Sequence, residues 1–186
     1  MVADLKQRIL ELASDLFMKQ GYLMTSTRQI ARTLNITQPA LYHHFKNKEM
    51  LYTQVVHEYA LKIGTDLNLI LANNKTPQET LLEMVLILKE KYPMNFMMMM
   101  HDMKNEISKE TQDYIYRIWF ENFYSPFEQV FDRLKDNLKD SYNPSDITKH
   151  FLRIIQTYVS KQQQYVYETP LEIQEIINIF ISGITK

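Results

Sequence analysis

Four times along this chain a capping residue is followed by proline and then, two residues on, by an acid. The sites are Thr76-Pro77-x-Glu79, Ser125-Pro126-x-Glu128, Asn143-Pro144-x-Asp146 and Thr169-Pro170-x-Glu172. Each is a start signal for a helix. Proline in a first helical turn lacks only an N–H that would have no partner there. The acid complements the positive end of the helix dipole. At Ser125 the same residues also read as a kink in one long helix from Ser108 to Leu138. Tyr92-Pro93 breaks another helix and leaves a short Met-rich one near Met94 to Met103. Only three glycines occur, and no period-two alternation marks a strand. The expected fold class is all-α.

A tighter pattern lies near the start. Ser26 to Lys48 contains Arg28, Arg32, Lys46 and Lys48 with His43 and His44, and no acid. Ser26 and Gln29 have capping-box spacing. Ile30, Ala31 and Leu34 form an inward stripe at helical period. Asn35 stands where a tight turn needs a left-handed residue, and Asn is the cheapest choice after Gly. Thr37 can cap a second helix with Pro39 in its first turn. Leu41 and Phe45 then face inward, while Gln38, Ala40, Tyr42 and His43 face elsewhere. Asn47 can cap a third helix, running from Lys48 to about Ala72. Ahead of the pair, Leu5, Ile9, Leu12, Leu16 and Phe17 form a stripe ended by Gly21. A compact basic two-helix element of this kind is a helix-turn-helix, whose second helix enters the DNA major groove.

Charge agrees with that placement. The chain of 186 residues has a net charge of −1, yet residues 1 to 50 carry seven Lys/Arg against four Asp/Glu. A basic head on an acidic body localises a nucleic-acid face. Zero cysteines exclude disulfides, thiolate metal sites and cysteine nucleophiles. The charged N-terminus does not read as a signal peptide, and no apolar run approaches the ~20 residues that span a bilayer. The expected location is cytoplasmic, with no membrane partner and no cofactor.

The run Ser26, Ile30-Ala31, Asn35-Ile36, Leu41-Tyr42-His43-His44-Phe45 and Lys48 resembles the DNA-binding domain of the TetR/AcrR family of bacterial transcriptional regulators. The resemblance covers roughly residues 5 to 52. Asn35 departs from the family's usual Gly, and Pro39 stands at a position that is often small. The resemblance implies a three-helix DNA-binding domain at 1–50 and a larger helical effector-binding and dimerisation domain at 51–186. Phosphate contacts are expected from Tyr42, His43 and Lys48, and base-edge contacts from Arg28, Gln38, Pro39 and Ala40. Ser26, Thr27, Thr37 and Lys46 complete the expected DNA-binding set.

Seven of the eleven methionines lie between Met84 and Met103. Such flexible, polarizable side chains suit an adaptable apolar pocket, although residues at helical spacing more often fill a core. The resemblance tips the reading toward a small-molecule effector. The expected ligand residues are Met84, Leu88, Phe96, Met97, Met100 and His101, together with Tyr116, Trp119, Phe120, Phe123 and Phe127. Met97 and His101, one turn apart, could hold a metal or haem, but no recognised ligand spacing accompanies them. The expected metal set is therefore empty.

The last helices are apolar on more than one face. Phe151, Ile155 and Tyr158 line one; Ile173, Ile176, Ile177, Phe180 and Ile184 line the other. A helix apolar all round is buried on several sides. Burial within the monomer accounts for about half of these residues by the usual stripe width, and the excess points to a homodimer interface, as the resemblance also implies. The reading is a homodimeric regulator that binds double-stranded DNA, a repressor released from a palindromic operator by a small apolar or aromatic effector. One rival is an enzyme using His101 or His150 with Asp102 or Glu106. It lacks a nucleophile motif, a phosphate loop and metal-ligand spacing. A second rival is a helical protein-interaction module that keeps a non-binding helix-turn-helix.

Overall fold

A computed structural model describes residues 5–92, 102, 106–159 and 170–186. All of its elements are helical apart from an isolated antiparallel bridge between Leu138 and Thr185. The chain divides into two compact units, Met1–Ala60 with Asn95–Ile118, and Leu61–Met94 with Trp119–Lys186. The first therefore reaches past residue 50 and takes in a segment from much later in the chain.

In the first unit, α1 (Leu5–Met24) loses helical geometry at Gly21, whose φ is 81°. Its buried face is Ile9, Leu10, Ala13 and Phe17. Leu5, Leu12 and Leu16 are only half-buried, so the expected stripe is rotated toward the small Ala13. α2 (Thr27–Thr33) packs on α1, and α3 (Gln38–His44) packs on α2. Leu41 and Phe45 are buried as their spacing requires. α4 (Lys48–Leu71) begins here and continues into the second unit. Asn47 caps it by accepting the Met50 N–H at 2.7 Å.

In the second unit, α5 (Pro77–Lys91) starts with a full capping box between Thr76 and Glu79. α6 (Lys109–Trp119) opens at the end of the first unit. A π-turn (Phe120–Tyr124) and α7 (Ser125–Asp132) follow it without interruption. Ser125 is helical and caps nothing. The one-helix reading holds for residues 109–132; the helix ends at Asp132, short of the expected Leu138. Pro126 has no N–H for the carbonyl four residues back. The turn before it widens, and the Ser125 N–H reaches Phe120 O, five residues back. α8 (Pro144–Val159) starts at Asn143, which accepts the Asp146 N–H at 2.9 Å. The last helix, α9 (Pro170–Ile184), packs on α5 and α8, and α7 packs on α8 and α5. Arg133 donates to the Leu71 carbonyl at 2.8 Å, placing a cation at the C-terminal end of α4. Thr169 and nearly all of the expected Met94–Met103 helix lie outside the described residues. Among the described residues no helix is long and apolar enough to cross a membrane.

Candidate nucleic-acid interface

The element built by α2 and α3 owes its geometry to a few short contacts. Ser26 accepts the Gln29 N–H at 3.0 Å. The Gln29 side chain does not complete the expected box; it accepts from Gln20 Nε2 at 3.2 Å. Asn35 has φ 53°, a left-handed residue as its position in the turn demands. That conformation lets the Ile36 N–H reach Ala31 O at 3.0 Å and closes α2. Thr37 then accepts the Ala40 N–H at 3.3 Å, with Pro39 in the first turn of α3.

The face so produced is polar and open. Pro39, Tyr42 and His43 are exposed on α3, and Gln38 and Ala40 are half-buried beside them. Ser26, Arg28, Thr37 and Lys46 are exposed around its rim. Thr27 is different. It is 7% exposed, and its hydroxyl lies 2.9 Å from the Tyr42 hydroxyl. Its place is behind the surface, where it ties Tyr42 to α2. Lys48 is half-buried, with its ammonium 4.1 Å from the centre of the Tyr22 ring and within 3.4 Å of the Leu23 carbonyl. Burial pulls its pKa below the ordinary value, and Asp102 and Glu106 act against that pull.

The expected effector residues are placed unevenly. Phe96, Met97, Met100 and His101 lie outside the described residues. Met84, Leu88 and Phe127 are fully buried in the second unit. Trp119, Phe123 and Phe127 form a chain of ring contacts with centroids 5.3 and 5.7 Å apart. Phe120 and Tyr116 point outward, 53% and 42% exposed. Asp66 is held by Lys91 at 3.1 Å and by the Tyr92 hydroxyl at 2.9 Å. Among the described residues no cluster of three His, Asp or Glu could hold a metal ion.

The expected interface residues differ in their exposure within one chain. Phe151, Ile155, Ile173, Ile177 and Ile184 are all at most 8% exposed within one chain. Their own subunit covers them; Phe151 alone meets the rings of Phe127, Phe131 and Phe180. An apolar stripe does not say which neighbour buries it. Tyr158, Ile176 and Phe180 are half-buried, and Ile154 and Ile179 are 40% and 71% exposed. Among the described residues, the more exposed apolar surface of α8 and α9 includes this second set.

Sequence reasoning missed several polar ties inside the first unit. Asp102, 4% exposed, accepts the Tyr22 N–H at 2.7 Å. Glu49 accepts both the N–H and the hydroxyl of Ser108, just ahead of α6. These bonds hold the Glu49 carboxyl below its usual range. His57 Nδ1 and the Tyr114 hydroxyl lie 2.7 Å apart. No local pattern flags partners so distant in sequence.

The family-model match to known proteins lies in the amino-terminal part of the chain. Residues 9–55 match the sequence model of bacterial regulatory proteins, tetR family. The HTH-type transcriptional regulator QacR of Staphylococcus aureus (strain Mu50 / ATCC 700699) is 39% identical over 54 residues, 29% of each chain. The HTH-type transcriptional repressor KstR2 of Mycolicibacterium smegmatis is 35% identical over 57 residues, 31% of this chain and 28% of the relative. The aligned part is thus under a third of either relative's length. Solved structures align over far more. A TetR transcriptional regulator from Legionella pneumophila covers 99% of both chains with a TM-score of 0.77 at 23% identity. AibR, solved in complex with isovaleryl coenzyme A and operator DNA, covers 94% of this chain and 96% of its own with a TM-score of 0.72 at 21% identity. At such identities the likeness speaks for the fold.

Proposed function

We propose that this chain, whose amino-terminal unit carries a TetR-family DNA-binding domain, is a homodimeric transcriptional regulator that binds a palindromic operator. The observation behind this is the exposed α3 face. Gln38, Pro39, Tyr42 and His43 are presented from a short helix whose entry is set by the left-handed Asn35. Phosphate contacts from Tyr42, His43 and Lys48 would fix register, and Arg28, Gln38, Pro39 and Ala40 would meet base edges. One such element reads few base pairs. Pairing through the exposed side of α8 and α9 would supply two half-sites about one DNA turn, ~34–36 Å, apart.

The second unit is the place for a small effector, and its buried aromatic side chains, Trp119, Phe127, Phe131 and Phe151, favour an apolar or aromatic one. Release from DNA then depends on the effector binding the released form better than the bound form. Repression, cytoplasmic location and the absence of catalysis belong to this same reading.

The test begins with selection of duplexes from a random pool by the purified full chain. A palindrome should emerge whose affinity falls steeply with salt, because neutralised phosphates release counterions. Gln38→Ala should then change the preferred base at one position by ~1–3 kcal/mol. A pool that yields no palindrome, or binding indifferent to salt, would refute the reading.

A further inference from the structure

The first unit is not closed by residues 1–60. We infer that Asp102 is a positioning residue for operator binding: its buried carboxylate fixes the corner from which the helix-turn-helix and the start of α4 are aimed. This rests on the proposed DNA-binding function and extends it to a residue well outside the matched stretch 9–55.

The geometry starts at Gly21. Its φ of 81° takes the chain out of the α1 ladder, so the next amide, Tyr22 N–H, needs another acceptor. Asp102 supplies it at 2.7 Å. Tyr22 is half-buried, so water is a poor substitute. A carboxylate acceptor makes the bond charge-assisted, roughly twice as strong as a neutral one.

What Asp102 holds is a junction. The Tyr22 ring packs edge-on against Tyr52 at 5.1 Å and stacks with Phe17 at 6.1 Å. The same ring carries the Lys48 ammonium on its face. The Gly21 carbonyl accepts from the Thr25 hydroxyl at 2.8 Å, and Ser26, which caps α2, follows directly. One carboxylate thus sets the end of α1, the entry to α2 and the seat of Lys48. A carboxylate near a phosphate-binding face repels DNA, so its presence there is a cost for binding by charge alone. Positioning and charge therefore predict opposite signs when it is removed.

The experiment compares wild type, Asp102→Asn and Asp102→Ala as full-length protein, at a temperature where circular dichroism shows each folded. Kd is measured for the selected operator and for a scrambled duplex. Positioning predicts weaker operator binding, about threefold for Asn, which keeps a neutral acceptor, and about tenfold or more for Ala. Scrambled-duplex binding should be unchanged or tighter, so the ratio of the two constants falls. A purely structural role would lower the folded fraction without moving that ratio in the folded protein. Amide exchange gives a second arm, independent of any variant folding. In wild type the Tyr22 amide should be protected like a core amide, and faster exchange should accompany each weakening of operator binding. Operator binding unchanged or tightened in both variants, or a fast-exchanging Tyr22 amide in wild type, overturns the inference. If wild type selects no operator, the DNA-binding proposal has failed, and the exchange arm still decides whether Asp102 anchors Tyr22.

Discussion

Replacing Gly64 by alanine sets two effects of known size against each other. Gly64 lies buried in α4, where alanine is favoured over glycine by ~1 kcal/mol in a helix interior. A Cβ at that position would fall 2.4 Å from Asn122 Oδ1 and 2.9 Å from Asn122 Cβ. The amide oxygen can swing away, but the Cβ belongs to the helical backbone of the π-turn and moves only with it. Overpacking of this kind costs ~1–3 kcal/mol. The net is a destabilisation of up to ~2 kcal/mol, with packing outweighing propensity. Gly183, in the last turn of α9, is the internal control, because a Cβ there meets nothing within 4 Å. Gly183→Ala should stabilise by up to ~1 kcal/mol, less where the helix end frays. Urea unfolding followed by Trp119 fluorescence reads the second unit, which holds both glycines and the tryptophan. With a slope of ~1–3 kcal/mol/M, Gly64→Ala should lower the midpoint by up to ~2 M while Gly183→Ala raises it. If both substitutions raise the midpoint alike, the close approach of α4 to the π-turn is wrong.

Other expectations follow from the same contacts. Ile179→Asp should yield a folded monomer by sedimentation, because this side chain is 71% exposed, whereas Ile177→Asp, at 0% exposed, should unfold the second unit; a dimeric Ile179→Asp would move the interface elsewhere. Tyr42→Phe leaves the buried Thr27 hydroxyl without its phenol partner and should cost ~1–3 kcal/mol of first-unit stability, measured by thermal melting, as well as weaken duplex binding. Lys48→Ala should reduce the slope of log affinity against log salt by about one, and an unchanged slope would mean that this ammonium meets no phosphate. The Glu49 carboxyl is depressed below its ordinary value near 4.5 by the bonds from Ser108 and Thr111. Its stabilisation is therefore complete above about pH 4.5 and lost as pH falls through the depressed value. Acid unfolding of Glu49→Gln should lack that part of the pH dependence, and identical acid profiles would show that the tie to Ser108 adds nothing.

Local chemistry was enough for the all-α class and for the helix-turn-helix itself. Ser26, Asn35, Thr37, Pro39 and Asn47 act on backbone groups within a few residues of themselves, so their roles can be read in order along the chain. The proline at position 126 was legible only as an ambiguity. Whether Ser125 starts a helix or lies inside one depends on how the preceding turn can widen, and that was decided by the packed structure. The terminal helices show the limit most plainly. Ile177 and Ile179 stand two residues apart on one apolar helix, yet one is sealed in the core and the other is open. Periodicity measures how much of a helix is apolar and says nothing about which neighbour arrives on which side. The same holds for Asp102. Its partner is the Tyr22 amide, 80 residues away, and a backbone N–H carries no side-chain signature to search for. Contacts between groups far apart in sequence depend on how whole helices pack. Burial then selects among them, because a polar group removed from water must find whatever partner the fold brings near.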